Sequence, residues 1–176
     1  IYMLTFFYIS SFAAVPFWVW LSKIIGKHKA YICSFMLIGL THPLYLLLGE
    51  GDFWWMLPIT ITTGFAAGGF QALPNSMKAD VIDIDTLNSG ENRSALFFST
   101  WSFTSKMTAS IGSWLALSAL AWVGFNTAPE AYNESSQLFG LRLIFSSMSS
   151  IFYFLAILVI WKYPITEETH SKVREI

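Results

Sequence analysis

The run FTSKMTASIG, Phe103 to Gly112, sets a lysine in the middle of a long segment with no other charge. Between Ser94 and Phe125, Lys106 is the one ionisable residue, set among Leu, Ala, Ser, Thr and aromatic side chains. Whether that segment lies in water or in lipid decides the fold. Of the 176 residues, 55% are hydrophobic and only 12% charged, with a mean hydropathy of +0.54. A soluble domain carries about a quarter charged residues, so the chain reads as an all-α integral membrane protein. The net charge of −1 provides no basic footprint for a nucleic-acid partner. Cys33 is the single cysteine, which excludes an internal disulfide and a cysteine-based zinc or iron–sulfur site. The chain opens at Ile1 inside an apolar run, without an initiating methionine, a basic n-region or a cleavage site, and is expected to belong to a longer polypeptide.

Crossing a hydrocarbon core about 30 Å thick takes about 20 apolar residues, and the sequence offers five such runs. They cover residues 1–21, 30–48, 53–77, 95–123 and 138–161, followed by a polar tail over 162–176. Orientation follows from the basic residues, because short loops rich in them stay in the cytoplasm. Lys23, Lys27 and Lys29 fall in the first connection, Lys78 and Arg93 in the third, and Lys162, Lys172 and Arg174 in the tail, all on one side. The other two connections carry Glu50, Asp52, Glu130 and Glu134, with Arg142 just inside the last span. The expected arrangement is a multi-pass cell-membrane protein whose amino end starts outside and whose carboxyl tail is cytoplasmic. Trp54, Trp55, Trp122 and Trp161 lie near span ends, where amphipathic rings favour the headgroup level.

Lys106 then sits about 12 residues, or about 18 Å, from the start of its helix, too deep to snorkel easily to a surface. At about 100° per residue, Ser99, Ser102, Ser110 and Ser113 project within roughly 40° of it, forming a hydroxyl stripe on one face. A charge inside the membrane costs about 2.5–3.5 kcal/mol on insertion scales and lines a solute or ion path or pairs with a partner. The stripe points to a hydrated cavity; a helix-joining ion pair is the plain alternative.

The third span, ITITTGFAAGGFQALPNSM, sets Gly64, Gly68 and Gly69 before Pro74. Gly64 and Gly68 have the small-xxx-small spacing of close helix packing, and Pro74 invites a kink. Either a gating bend or ordinary tight packing accounts for them. Gln71 is the strongly polar side chain deep in this span and is either a solute contact or an interhelical clasp. The loop with Asp80, Asp83, Asp85, Asn88 and Glu91 does not fit a calcium loop, since its fifth position falls on Leu87 and its glycine is misplaced, and no metal site is expected. The spacing of Asp80 and Asp83 suits one face of a helix that extends past the membrane and takes up Lys or Arg from a neighbouring loop. Asn133-Glu134-Ser135 matches a glycosylation sequon, and His42 before Pro43 reads as a packed neutral histidine. No catalytic triad, P-loop or dinucleotide glycine pattern is present, and no enzyme is expected.

The stretch LPNSMKADVIDIDTLNSGENRSALFFSTWSFTSKMTASIG, residues 73–112, resembles the tenth helix, cytoplasmic loop and eleventh helix of the glycoside–pentoside–hexuronide cation symporters. This is the melibiose-carrier branch of the major facilitator superfamily, which shares an A-D-x-x-D block, a following Gly and Arg, and a lysine in the eleventh helix. PFWVWLSKIIGKHKAY is similar to the end of that family's eighth helix, and WKYPITEETH to the tail of many members, lysophosphatidylcholine symporter relatives included. The resemblance implies that the five spans are helices eight to twelve of a twelve-helix carrier, partnered by an upstream helical bundle.

It further implies that Lys106 is a charge partner in the central cavity and that Gln71 faces the same cavity. There the melibiose carrier has a sugar-stacking tryptophan, a departure that counts against melibiose itself as the solute. Asp80, Asp83 and Arg93 match loop positions of a cytoplasmic gate. The coupling ion, sodium or proton, would be held mainly by the upstream half, and no other cofactor is expected. The expected function is cation-coupled symport of a sugar or glycoside by alternating access. A lysophospholipid or other amphiphile carrier on the same fold, and a non-transporting membrane scaffold or sensor, are the alternatives.

Overall fold

The computed structural model describes residues 2–162. Five helical rods make up the bundle, and no strand occurs among the described residues. The first rod, α1 (Tyr2–Ile25), meets no charge until Lys23 and passes directly into α2 (Lys27–Thr41). The connection expected over 22–29 shrinks to Gly26, which turns at φ 91°, a backbone angle that glycine adopts without a Cβ penalty. Hydrogen bonds from Gly26 N–H to Ser22 O and from Ala30 N–H to Gly26 O keep the helical ladder running on both flanks. α2 tightens into a 3-10 turn (His42–Leu47). Pro43 has no N–H to give to an α-helical bond, and the tighter turn absorbs the loss.

The central rod is α3 (Phe53–Ser89), 37 residues or about 55 Å long. Its expected end at residue 77 is corrected: most of the polar segment taken as loop is helix. Nothing in KADVIDIDTLN breaks a helix until Gly90, which closes it in the left-handed conformation at φ 71°. α4 (Ser94–Trp122) starts where the Asn92 carboxamide oxygen accepts hydrogen bonds from the Ser94 backbone and hydroxyl. The last rod consists of α5 (Ser135–Leu143), a π turn (Ile144–Met148) and α6 (Ser149–Ile160). It starts three residues before the expected position because Glu134 and Gln137 form a capping box. The tail beyond residue 162, with Lys172 and Arg174, lies outside the described residues.

Three rods are long and apolar enough to cross a membrane by length and composition: Tyr2–Ile25, Lys27–Leu47 and Ser135–Ile160. α3 and α4 have the length but a more polar composition. α3 carries threonines, glycines and charges beyond residue 77, and α4 carries ten serines and threonines. Large apolar side chains such as Trp122 at 88% and Val159 at 81% face outward on several rods, as expected where the solvent is lipid.

Packing centres on α3. Its Gly64, Gly68 and Gly69 lie against α1 so closely that a Cβ on Gly68 would stand 2.5 Å from the Ser11 carbonyl oxygen, and one on Gly69 2.7 Å from the Trp18 ring. Of the two readings of these glycines, the structure displays tight packing. The contact lets α1 side chains hydrogen-bond to α3 carbonyls, Trp18 Nε1 to Phe65 O and Ser10 Oγ to Ile61 O, both at 2.7 Å. On the opposite side Ile32, Phe35, Ile38, Ala66 and Ile157 form a core joining α2, α3 and α6. α4 is peripheral by contrast, with Ala119 its one buried residue.

Candidate functional site

The predicted site residues fall into two groups. Lys106, Ser99, Ser102, Ser110 and Ser113 all lie on α4 and are all exposed. Three of the four hydroxyls return to their own helix: Ser110 Oγ donates to Lys106 O at 3.0 Å, Ser113 Oγ to Ala109 O at 2.9 Å and Ser99 Oγ to Leu96 O at 2.9 Å. Each oxygen keeps lone pairs for a further donor. Among the described residues, no carboxylate lies within ion-pair distance of Lys106. The stripe turns away from the last rod: Thr108, on the face that looks toward Phe145 and Phe152, is about 160° around the helix from Lys106. Gln71 is not joined to this stripe by a hydrogen bond. Its Nε2 donates to Ser11 Oγ at 3.2 Å, so in this structure it clasps α3 to α1.

The second group gathers at the Gly26 end of the bundle. Lys27 Nζ donates to both oxygens of Asp80 at 2.7 Å, bridging the α1–α2 joint to α3, with Asp80 buried. Arg93 lies 3.3 Å from Asp85 and 3.8 Å from Glu91. Asp83 is exposed on the same helical extension. The sequence foresaw Asp80 meeting a cation from a neighbouring loop, but not which one, because loop length alone does not determine how the Gly26 turn directs Lys27.

At the Gly49 end lies a feature the sequence did not disclose, a cavity of about 740 Å³ between α1, the 3-10 turn, α3 and α5. Phe7, Ile38, Met56, Leu141 and Phe145 provide apolar walls. Most of the lined surface is apolar, but polar side chains are present: Tyr45 OH lies 3.5 Å from Thr60 Oγ1, His42, Thr63 and Tyr153 line the wall, and Glu50 and Arg142 bring a carboxylate and a guanidinium, Arg142 also donating to the Leu48 carbonyl. Two irregular turns face each other here, the 3-10 turn after Pro43 and the π turn after Leu143, with His42 and Tyr45 packed on Phe145 at 5.5 and 5.3 Å between ring centroids. π turns interrupt α-helices often at functional sites. The sequence signal was Arg142 itself, a charge next to an apolar run; the four elements that surround it are distant in sequence.

A helical bundle with close small-residue contacts, outward-facing apolar side chains and rods long and apolar enough to cross a bilayer is the architecture of a polytopic membrane protein. Residues 1–167 match the family described as MFS/sugar transport protein, and the chain belongs to that family. It is 24% identical over 93% of its length to 32% of a sphingosine-1-phosphate transporter of Xenopus tropicalis. It is 26% identical over 91% of its length to 30% of sodium-dependent lysophosphatidylcholine symporter 1-A of Danio rerio. An uncharacterized symporter of Synechocystis matches at 25% over 93% of the chain and 31% of that protein. The chain spans about a third of the length of these relatives.

Proposed function

We propose that this chain forms part of a cation-coupled secondary transporter that works by alternating access, and that its solute is an amphiphile with an apolar chain and a charged headgroup. The observation that carries this is the large, mostly apolar cavity with one guanidinium, Arg142, and one carboxylate, Glu50, on its lining. A sugar needs a dense set of hydrogen-bond donors and acceptors, because every buried hydroxyl left unpaired costs free energy. The mostly apolar wall of this cavity suits an acyl chain, while Arg142 and Glu50 on its lining can pair with a charged headgroup. Relatives named for sphingosine-1-phosphate and lysophosphatidylcholine support the same class.

In this reading the Gly26 end faces the cytoplasm, in keeping with its lysines. Lys27–Asp80 and the Asp83 and Arg93 region form ionic contacts that close that side, while Lys106 and its hydroxyl stripe face the translocation path. Two bundles rock about a midplane site, one of them supplied by the remainder of the polypeptide. Linkage is reciprocal: if the coupling cation, sodium or proton, tightens solute binding, the solute tightens cation binding by the same factor. The second reading, sugar or glycoside symport, is favoured by the α4 hydroxyls around Lys106.

Uptake by the complete carrier in sealed vesicles separates the two. Lysophosphatidylcholine and a glycoside panel are offered under imposed sodium or proton gradients. Gradient-driven lipid uptake that falls in Arg142→Gln supports the first reading, and uptake of a glycoside alone refutes it.

A further inference from the structure

α4 is loosely packed: apart from close contacts with the π turn of the last rod, it is held at its two ends. A Cβ added to Gly112, near its middle, would meet no other part of the protein within 4 Å. A cavity of about 500 Å³ separates Ile111 and Leu115 from Met148 and Phe152 of the last rod. At the Gly124 end the hold is steric and polar. Val123 packs on Gly140, where a Cβ would come within 2.8 Å, and Gln137 Nε2 donates to Gly124 O at 2.8 Å.

At the Ser94 end the hold is of a different kind. Lys78 leaves α3 with its Nζ 4.5 Å from the centroid of the Trp101 ring and 5.3 Å from that of Phe98. Those two rings are three residues apart and so share one face of α4. An ammonium over an aromatic face is attracted by the ring quadrupole, most strongly by indole. Lys78 is half-buried there, where competition from water is reduced.

We infer that Lys78 is a positioning residue, pinning the Ser94 end of α4 to α3 through its charge on Trp101 and Phe98. Five residues, or about 7.5 Å of helix, separate Trp101 from Lys106, so the pin sets where the Lys106 ammonium stands. The Arg93–Asp85 contact crosses the same hairpin but lies nearer the turn and leaves the helix free to swing about it. The pin needs a cation and a ring, not a particular side-chain length; Arg replaces Lys, whereas an apolar isostere does not. The inference does not depend on which solute is carried, or on transport at all.

The test uses the complete protein in lipid nanodiscs, with Cys33 and any other cysteines replaced and spin labels on Ser76 of α3 and Ser105 of α4. Both positions are exposed. Pulsed electron–electron distance distributions are compared for Lys78→Arg, Lys78→Met and Trp101→Leu. The expected result is a distribution retained in Lys78→Arg and broadened toward longer distance in both of the others. An unchanged distribution in Lys78→Met overturns the inference, since the ammonium is then merely resting at the headgroup level. Equal broadening in Lys78→Arg and Lys78→Met also overturns it, because shape rather than charge would be responsible. If Lys78→Met fails to yield a monodisperse protein, Trp101→Leu against Trp101→Phe decides: a retained distribution in Trp101→Leu refutes the pin.

Discussion

Gly68→Ala tests the reasoning on which the bundle rests. A methyl group on Gly68 would stand 2.5 Å from the Ser11 carbonyl oxygen and 3.0 Å from Ala14 Cβ, and the nearer obstacle is backbone that no rotamer change can move. Carbon and carbonyl oxygen settle near 3.3 Å, so α1 must withdraw from α3 by about 0.8 Å. That withdrawal stretches the Trp18–Phe65 and Ser10–Ile61 hydrogen bonds, both 2.7 Å, beyond useful range. Overpacking costs about 1–3 kcal/mol, and interhelical hydrogen bonds in a membrane contribute about 0.6 kcal/mol each. Alanine recovers about 0.5–1 kcal/mol of helix propensity. The net expectation is a loss of about 1–4 kcal/mol. Unfolding of the complete protein in mixed micelles with rising dodecyl sulfate, followed by tryptophan fluorescence, measures it. Gly112→Ala is the control, since a Cβ there would meet no other part of the protein within 4 Å, and it is expected to be neutral or to stabilise by up to about 1 kcal/mol. If the two variants unfold together, the close approach of α1 and α3 is not what holds this bundle.

Lys27→Asp and Asp80→Lys should each destabilise the Gly26 end by roughly 1–3 kcal/mol, and the double exchange should restore part of the loss in the same unfolding assay. Additive losses in the double variant would mean that the pair is not coupled. Trp18→Phe keeps a ring in the buried slot but deletes its donor to Phe65 O; a loss of about 1–2 kcal/mol is expected, and none would assign the contact to packing alone. Lys106→Ala should leave the unfolding curve in place, since the side chain is exposed and no ion pair to it is seen among the described residues, while changing the cation dependence of uptake. Loss of membrane expression with no separable transport defect would sink that expectation.

The five rods were legible because lipid demands long apolar runs with every backbone group bonded within the segment. The boundaries set by a single glycine, Gly26 and Gly90, were not located, because charged residues such as Lys27 and Asp83 continue a helix into water as readily as they leave it. The small-residue spacing of α3 told that a partner would come close but not that it would be α1. The hydroxyl stripe around Lys106 follows from helical periodicity alone and appears on one face of α4 as expected.

Sequence by itself therefore determined what each segment is: an apolar helix, a polar stripe on one helical face, a run of small residues. Only the tertiary structure decided which segments meet. It paired Lys27 with Asp80, gave Gln71 to Ser11, set Arg142 on the lining of a mostly apolar cavity and laid Lys78 on Trp101. The physical reason is the range of the forces. Periodicity and backbone hydrogen bonding act over a few residues and are written locally. Contacts across 53 or 60 residues depend on how whole helices pack, and that is set by the sum of many small surfaces in contact.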